Sequence, residues 1–249
     1  MFSLQMTTPF LTIAIPTMRR WWFLKDSLPL MLEREEVGEI VVCDETGEDA
    51  DMIEKHILCK QNKKLRVIRN ETRLGIYHNK RKALSLATYP LVAVLDSDNV
   101  FPDSWFDVLS DAIQQKGTNI VYGSPSFNSI NTSTGKAWKP CKSFADLQLD
   151  ATSWNTIFHK QFWNHLLNDG NWVVPKDAIR CLPETIPAAY KEGATYCDAL
   201  YMLRCFIEGG YSIWYVPELE YNHLVHEGSS WLTREAPSNR AIQTTKWTL

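Results

Sequence analysis

One stretch constrains this 249-residue chain more than any other: Leu91-Val-Ala-Val-Leu-Asp-Ser-Asp-Asn99. Five consecutive apolar residues leave no polar face. The segment therefore reads as a strand buried on both sides, as in a parallel sheet covered by helices. It runs directly into Asp96 and Asp98, with Ser97 between them. Charges at the end of such a strand lie at the carboxyl edge of the sheet, where open α/β sheets bind ligands. Two carboxylates there supply hard oxygens suited to Mg²⁺ or Mn²⁺, ions usually held together with substrate phosphates. The competing reading is an Asx turn, with Asp98 capping the next helix.

The surrounding sequence alternates strand and helix patterns. Strands are expected at Phe10–Ile15 (stopped by Pro16), Glu39–Asp44, Leu65–Arg69 and Asn119–Tyr122. Helices are expected at Trp22–Glu35, Asp49–Cys59 and Tyr77–Ala87, with another opening at Pro102 and continuing from Trp105 to Gln115. This order implies an α/β fold with a mostly parallel sheet, flanking helices and right-handed crossovers. Residues 124–150 are rich in Ser, Thr, Asn and Lys and read as a loop or short hairpin over the site. Helices follow at Phe158–Leu167 and Ala194–Glu208, the second ended by Gly209-Gly210. Tyr211–Val216 is a strand stopped by Pro217. The last twenty residues are polar, carry Pro237, and are expected to cross the surface as a mobile segment. No linker divides the chain, so residues 1–249 form one domain.

Bulk properties exclude several partner classes. Lys and Arg total 26 against 29 Asp and Glu, a net charge of −3 with no basic block. Nucleic acid is therefore not an expected partner. No apolar run approaches the roughly 20 residues of a membrane span. The N-terminus lacks the basic region and apolar core of a signal peptide. The six cysteines (Cys43, Cys59, Cys141, Cys181, Cys197, Cys205) are widely spaced and several sit in apolar patterns. They read as reduced core thiols of a cytoplasmic protein, which could be peripheral to a membrane, and not as a disulfide frame or zinc site.

Four strands end in polar groups that can face one cleft: Pro16-Thr17, Asp44-Glu45, Asn70–Arg73 and Asp96-Ser97-Asp98. With these residues in view, the chain resembles glycosyltransferase family 2, the nucleotide-sugar-dependent enzymes of the GT-A (Rossmann-like) fold. Residues 10–125 carry the resemblance well and 150–230 more loosely. Thr12-Ile-Ala-Ile-Pro-Thr17 is similar to the family's first strand and Pro-Thr turn. Glu39-Ile-Val-Val-Cys-Asp44-Glu45 resembles its second strand, whose paired acids hydrogen-bond the nucleotide base. Asn70-Glu-Thr-Arg73-Leu-Gly75 resembles its Asn-x-x-x-x-Gly turn, which implies a place for Arg73 near base and diphosphate. His78-Asn-Lys-Arg-Lys-Ala83 stands where the family has Ala-Arg-Asn-x-Gly, with Lys80 for Arg and Ala83 for Gly. Asp96-Ser97-Asp98 matches its Asp-x-Asp motif. Each motif also has a plainer reading. Asp44 and Glu45 can form a turn with Gly47, Arg73 can be a surface arginine, and Lys80, Arg81 and Lys82 can form a solvated helix face.

The resemblance extends to catalysis. An inverting transfer needs a base for the acceptor hydroxyl while a metal stabilises the leaving diphosphate. The family's base precedes a helix, with Arg and Gly-Tyr downstream. Tyr196-Cys197-Asp198 with Arg204 and Gly210-Tyr211 fits, although Cys197 replaces the first acid of the usual pair. Asp198 is the implied base, and equally a good first-turn helix residue. The family's His-x-Gly-Ser stretch corresponds to His226-Glu-Gly228-Ser229, which implies His226 as a metal ligand beside Asp98 and Asp96, with His223 the alternative. Gln243-Thr-Thr-Lys246-Trp247 is weakly similar to the Gln-x-x-Arg-Trp motif of processive members.

The resulting expectation is a metal-dependent, inverting glycosyltransferase. Residues 10–125 would hold the nucleotide, 126–230 would serve the acceptor and chemistry, and 231–249 would form a tail acting as a lid. The donor is a nucleotide-diphosphate sugar, UDP in preference to GDP, and the metal is Mn²⁺ or Mg²⁺. Pro16, Thr17, Asp44, Glu45, Arg73, Lys80, Asp96, Ser97 and Asp98 would bind the donor. Trp138, Trp154, Trp163 and Trp172 would shape the sugar and acceptor pockets. The acceptor is a glycan, a lipid-linked precursor or a protein. The alternatives are a retaining enzyme on the same fold and an inactive carbohydrate-binding relative. A nucleotidyltransferase would need a glycine-rich loop where this chain has Pro16-Thr-Met-Arg-Arg20.

Overall fold

Strand β1 (Leu11–Thr17) is the hub of the architecture, because it pairs in parallel with β2 (Val37–Asp44) on one side and β4 (Leu91–Val94) on the other. The computed structural model describes residues 8–249, except 57, 60, 126, 139–143, 161–162, 164–170 and 228–229. The remaining strands of the main sheet are β3 (Leu65–Arg69), β6 (Val121–Gly123), β9 (Gln148–Leu149), β10 (Trp172–Pro175) and β11 (Ile213–Tyr215). Their order is β3-β2-β1-β4-β10-β6-β11-β9. The chain winds outward from β1 to β3, then returns across β1 to β4. That reversal opens a crevice beyond the carboxyl ends of β1 and β4, the usual ligand position in such sheets. Only β10 and β9 run against their neighbours.

Helices cover both faces. On one face, α1 (Trp21–Glu33) and α4 (Asp103–Lys116) pack on Ile13, Ile15, Ala93, Leu95 and Tyr122. On the other, α3 (Ile76–Ser85), α5 (Lys191–Tyr196) and α6 (Asp198–Glu208) pack on Ala14, Val92, Val94, Val121 and Val174. The alternation of Val92 and Val94 against Ala93 and Leu95 is what a strand buried on both faces requires. The short helix α2 (Glu48–Lys55) follows β2.

A second sheet of order β5-β12-β7-β8 lies beyond β4. It comprises β5 (Asn99–Val100), β7 (Phe127–Asn131), β8 (Ala137–Trp138) and β12 (Tyr221–Val225). Its β7–β8 pair is the hairpin foreseen within 124–150. Its β12–β5 pairing, His223 opposite Asn99, carries the histidine segment back to the Asp96–Asp98 turn.

Several local expectations change. β1 continues through Pro16, because its pairing with β4 ends at Ala14 and no N–H is demanded of Pro16 on that side. α2 stops at Lys55 instead of Cys59. The helix expected from Ala194 is broken at Cys197 (φ −136°, ψ 50°), so Asp198 is the first residue of α6. Before the helix expected at 158–167 stands a 3₁₀ segment, Trp154–His159; 161–162 and 164–170 lie outside the described residues. The tail is not an irregular surface segment. It forms α7 (Ser230–Thr244), and beyond it Trp247 is 4% exposed within the core. The Trp154 indole N–H donates to Trp247 O at 2.8 Å, and a Cβ on Gly193 would lie 2.5 Å from the Trp247 ring. Trp247 is thus a core residue, which leaves the Gln-x-x-Arg-Trp likeness without an open aromatic face.

Candidate active site

The carboxyl ends of β1, β2 and β3 are knitted together by their own polar groups. Asp44 is fully buried, and its two oxygens accept the N–H groups of Thr46 (3.0 Å) and Ala50 (2.9 Å), closing the turn into α2. Asp44, expected at the nucleotide base, here accepts one backbone N–H on each oxygen. Thr17 is similarly engaged, its hydroxyl donating to Asp49 at 2.5 Å. Asp49 also accepts the N–H of Arg20 and Trp21, satisfying the start of α1. Glu45 accepts the Leu74 N–H at 2.6 Å and so fixes the turn leading through Gly75 (φ +83°), a left-handed backbone that glycine adopts without strain. Arg73, on that turn, is exposed at the rim.

Lys80 has a different position from the one expected. Of the three basic residues on α3, Arg81 binds the Leu182 carbonyl and Glu184, and Lys82 binds Asn70. Lys80 alone points inward. Its Nζ lies 3.0 Å from Asp96 Oδ1 and 2.7 Å from Asp198 Oδ2, with 3% of the side chain exposed. Lys80, expected among the donor-binding residues, is in this structure enclosed between two carboxylates. Burial lowers its basicity, but Asp198 and Asp96 outweigh that and hold it protonated, above the ordinary lysine range. Burial likewise pushes the Asp96 carboxyl up, against the pull of Lys80, with Asp198 and Asp98 adding to the rise.

Asp98 faces the other way. Its Oδ2 lies 3.1 Å from His226 Nε2 and 3.7 Å from Arg20 Nε. The Phe23 ring packs against the imidazole at 4.6 Å between centroids. His223 Nδ1 meets Asn99 Oδ1 at 2.8 Å, one residue beyond Asp98. Burial, helped by His226 and opposed by Asp98, lowers the His223 pKa and favours its neutral form. The structure thus joins Asp98 with His226 and Asp96 with Asp198, from segments more than 100 residues apart. Among the described residues, no group of three His, Cys, Asp or Glu converges as a ready metal site.

The tryptophan expectation fails for two residues. Trp154 is fully buried, and Trp172, 2% exposed, packs edge-on against Phe206. Both fill the layer between sheet and helices. Trp163 packs against Phe158, and the Trp138 side chain lies outside the described residues. The described cysteines are free thiols, as expected; Cys141 lies outside the described residues. Burial pushes Cys43 up to about 11 and Cys197 up to about 12, the range of inert core thiols. Arg20 and Asp49 are the site-edge residues that sequence reasoning missed. Arg20 had stood out only as part of a turn without glycine.

Residues 12–169 match the family model described as "Glycosyl transferase family 2", more than half of the chain. The chain belongs to that family. No curated protein matches the family 2 chain in sequence. Solved structures of similar fold include TarS 1–349 of S. aureus in complex with UDP-GlcNAc, at a TM-score of 0.65 and 15% identity, covering 88% of this chain and 60% of TarS 1–349. The mannosyltransferase PcManGT of Pyrobaculum calidifontis, in complex with GDP-Man and Mn²⁺, gives 0.63 and 15%, covering 97% and 66%. GalNAc-T7 with UDP, GalNAc and Mn²⁺ gives 0.58 and 15%, covering 88% and 44%. The family 2 chain therefore spans about three fifths of the TarS fragment it resembles. Among the described residues, no helix is long and apolar enough to cross a membrane.

Proposed function

We propose that the chain is a metal-dependent glycosyltransferase that moves a sugar from a nucleotide diphosphate to an acceptor hydroxyl with inversion. The observation that carries this reading is the joint placement of Asp96, Asp98, Asp198 and His226 at one sheet edge, bridged by Lys80. Family membership and the nucleotide-sugar complexes of the similar structures support it. Those structures hold both UDP- and GDP-linked sugars, so the nucleotide preference rests on the sequence reading.

Asp98 Oδ2 and His226 Nε2 are one hard oxygen and one imidazole nitrogen, 3.1 Å apart. That donor pair fits Mn²⁺ or Mg²⁺ completed by diphosphate oxygens. When bound, the ion would neutralise charge on the departing diphosphate. Arg20, 3.7 Å from Asp98, adds a positive charge on the same side. In the transfer, the acceptor oxygen bonds to the anomeric carbon as the carbon–phosphate oxygen bond breaks. The electron pair leaves with the diphosphate, and the hydroxyl proton passes to Asp198. Lys80 holds one Asp198 oxygen at 2.7 Å and so orients the carboxylate, leaving the other oxygen for the proton. Asp198→Asn tests the reading. Transfer measured with Mn²⁺ and a matched donor should fall by about 10²–10⁴-fold while donor binding persists. Wild-type turnover in that variant excludes Asp198 as base.

A further inference from the structure

Two buried polar side chains at the carboxyl edge of the β6–β10 pair have no part in the chemistry above. Ser124 follows β6 and Asn171 precedes β10, and each is 3% exposed. In the antiparallel β6–β10 ladder, Trp172 is opposite Gly123 and Val173 opposite Tyr122. One step further toward the carboxyl edge, Asn171 stands opposite Ser124. Residues so paired present their side chains to one face of the sheet. Asn171 Oδ1 accepts the Asp96 N–H at 3.2 Å. Because only the carbonyl end of the amide can accept from an N–H, this contact fixes the amide's orientation. The Nδ2 donors are thereby turned away from Asp96.

Among the described residues, neither Asn171 Nδ2 nor Ser124 Oγ has a hydrogen-bond partner. Buried polar groups in folded proteins are nearly always partnered, and an orphan is costly. The Trp172 indole N–H is also unpartnered, but its ring packs with Phe206 in the core layer of the other face. Ser124 and Asn171 instead flank the same end of the β6–β10 ladder, and Asn171 is tied to the backbone of the Asp-x-Asp turn.

The chemistry of the pair limits its ligand. Both groups are uncharged, so they supply hydrogen bonds without the charge that favours a phosphate, and an amide nitrogen is no metal ligand. Asn171 requires an oxygen acceptor, while the Ser124 hydroxyl can donate or accept. We infer that Ser124 and Asn171 form the subsite that holds an oxygen substituent of the transferred sugar, a ring hydroxyl or an acetamido carbonyl. The inference rests on the glycosyltransferase reading and adds to it the residues that recognise the sugar.

Ser124→Ala is the cleaner test, since a change at Asn171 also frees the Asp96 N–H. Calorimetric affinities with Mn²⁺ would be compared for UDP, UDP-glucose and UDP-GlcNAc, and for GDP and GDP-mannose. In the wild type, one nucleotide sugar should bind more tightly than its bare nucleotide. In Ser124→Ala the bare nucleotide should bind as before, while that advantage falls roughly 3- to 10-fold, the worth of one hydrogen bond. The ligand-free variant should also be no less stable, because it loses an unpartnered group. An unchanged sugar advantage overturns the inference. So does a wild type that gains nothing from any of these sugars. A destabilised free variant overturns it as well, since the hydroxyl would then serve a buried water. A wild type that binds neither nucleotide overturns the parent reading and this one together. Loss of transfer in Asp198→Asn with an unchanged Ser124→Ala sugar advantage overturns this one alone.

Discussion

Lys80 can be buried only because Asp96 and Asp198 flank it, as an ammonium removed from water without partners would shed its proton. Sequence shows three consecutive basic residues on a helix, of which one or two can face inward. It does not show which carboxylate waits across the cleft, because Asp198 lies 118 positions later and its location depends on the break at Cys197. The turn role of Asp44 is hidden in the sequence for a related reason. An acid at a strand end serves a ligand and a helix-start turn equally well, and only the N–H groups of Thr46 and Ala50 decide between them. Asp98 and His226 were linked in the sequence only through the family resemblance, and the structure brings them within 3.1 Å. Lys80→Met should leave two carboxylates without a counter-ion and cost about 3 kcal/mol, the lower end for a broken buried pair since Asp96 is partly exposed. Urea denaturation of variant and wild type measures this; equal midpoints would mean that water already screens the pair.

At the scale of elements, strands rich in Val, Ile and Leu announced themselves, and so did the helices between them. The exceptions are elements defined by distant contacts. α7 looked like a mobile tail because its apolar residues are sparse, yet Ala241 within it and Trp247 beyond it are buried by α5 and the Trp154 segment. The opposite end of the sheet is tied by Glu39 in β2, which accepts from Thr12 in β1 (2.9 Å), Arg66 in β3 (2.5 Å) and Thr88 (2.8 Å). Burial would raise the Glu39 carboxyl, but the Arg66, Thr88 and Thr12 hydrogen bonds outweigh it and hold the pKa below the ordinary value of 4.5. A folded-state value below the unfolded one stabilises above the unfolded value, and that stability is lost as pH falls through the folded value. Glu39→Gln should therefore cost about 2 kcal/mol at pH 7. It should also lose less additional stability than wild type between pH 5 and 3. Chemical denaturation across that range checks both expectations, and parallel curves would remove Glu39 from the acid response.

For the molecule as a whole, the α/β order was readable because β1 to β4 alternate with helices in sequence and pair as such chains do. The second sheet was not readable as such. Its strands are short, and two of them, β5 and β12, come from turns that gain their partners only when the chain returns. That return brings His226 to Asp98 across 128 positions and completes the candidate metal clamp. In the proposed function this clamp binds a nucleotide diphosphate through a divalent ion. The direct test is thermal unfolding with UDP or GDP, with and without Mn²⁺, for wild type, Asp98→Asn and His226→Ala. Binding restricted to the folded state raises stability by about 2.7 kcal/mol at a hundredfold excess over Kd. One nucleotide should stabilise the wild type only when Mn²⁺ is present, and both variants should lose that gain. Stabilisation of equal size without the metal, or retained in Asp98→Asn, would contradict the claim.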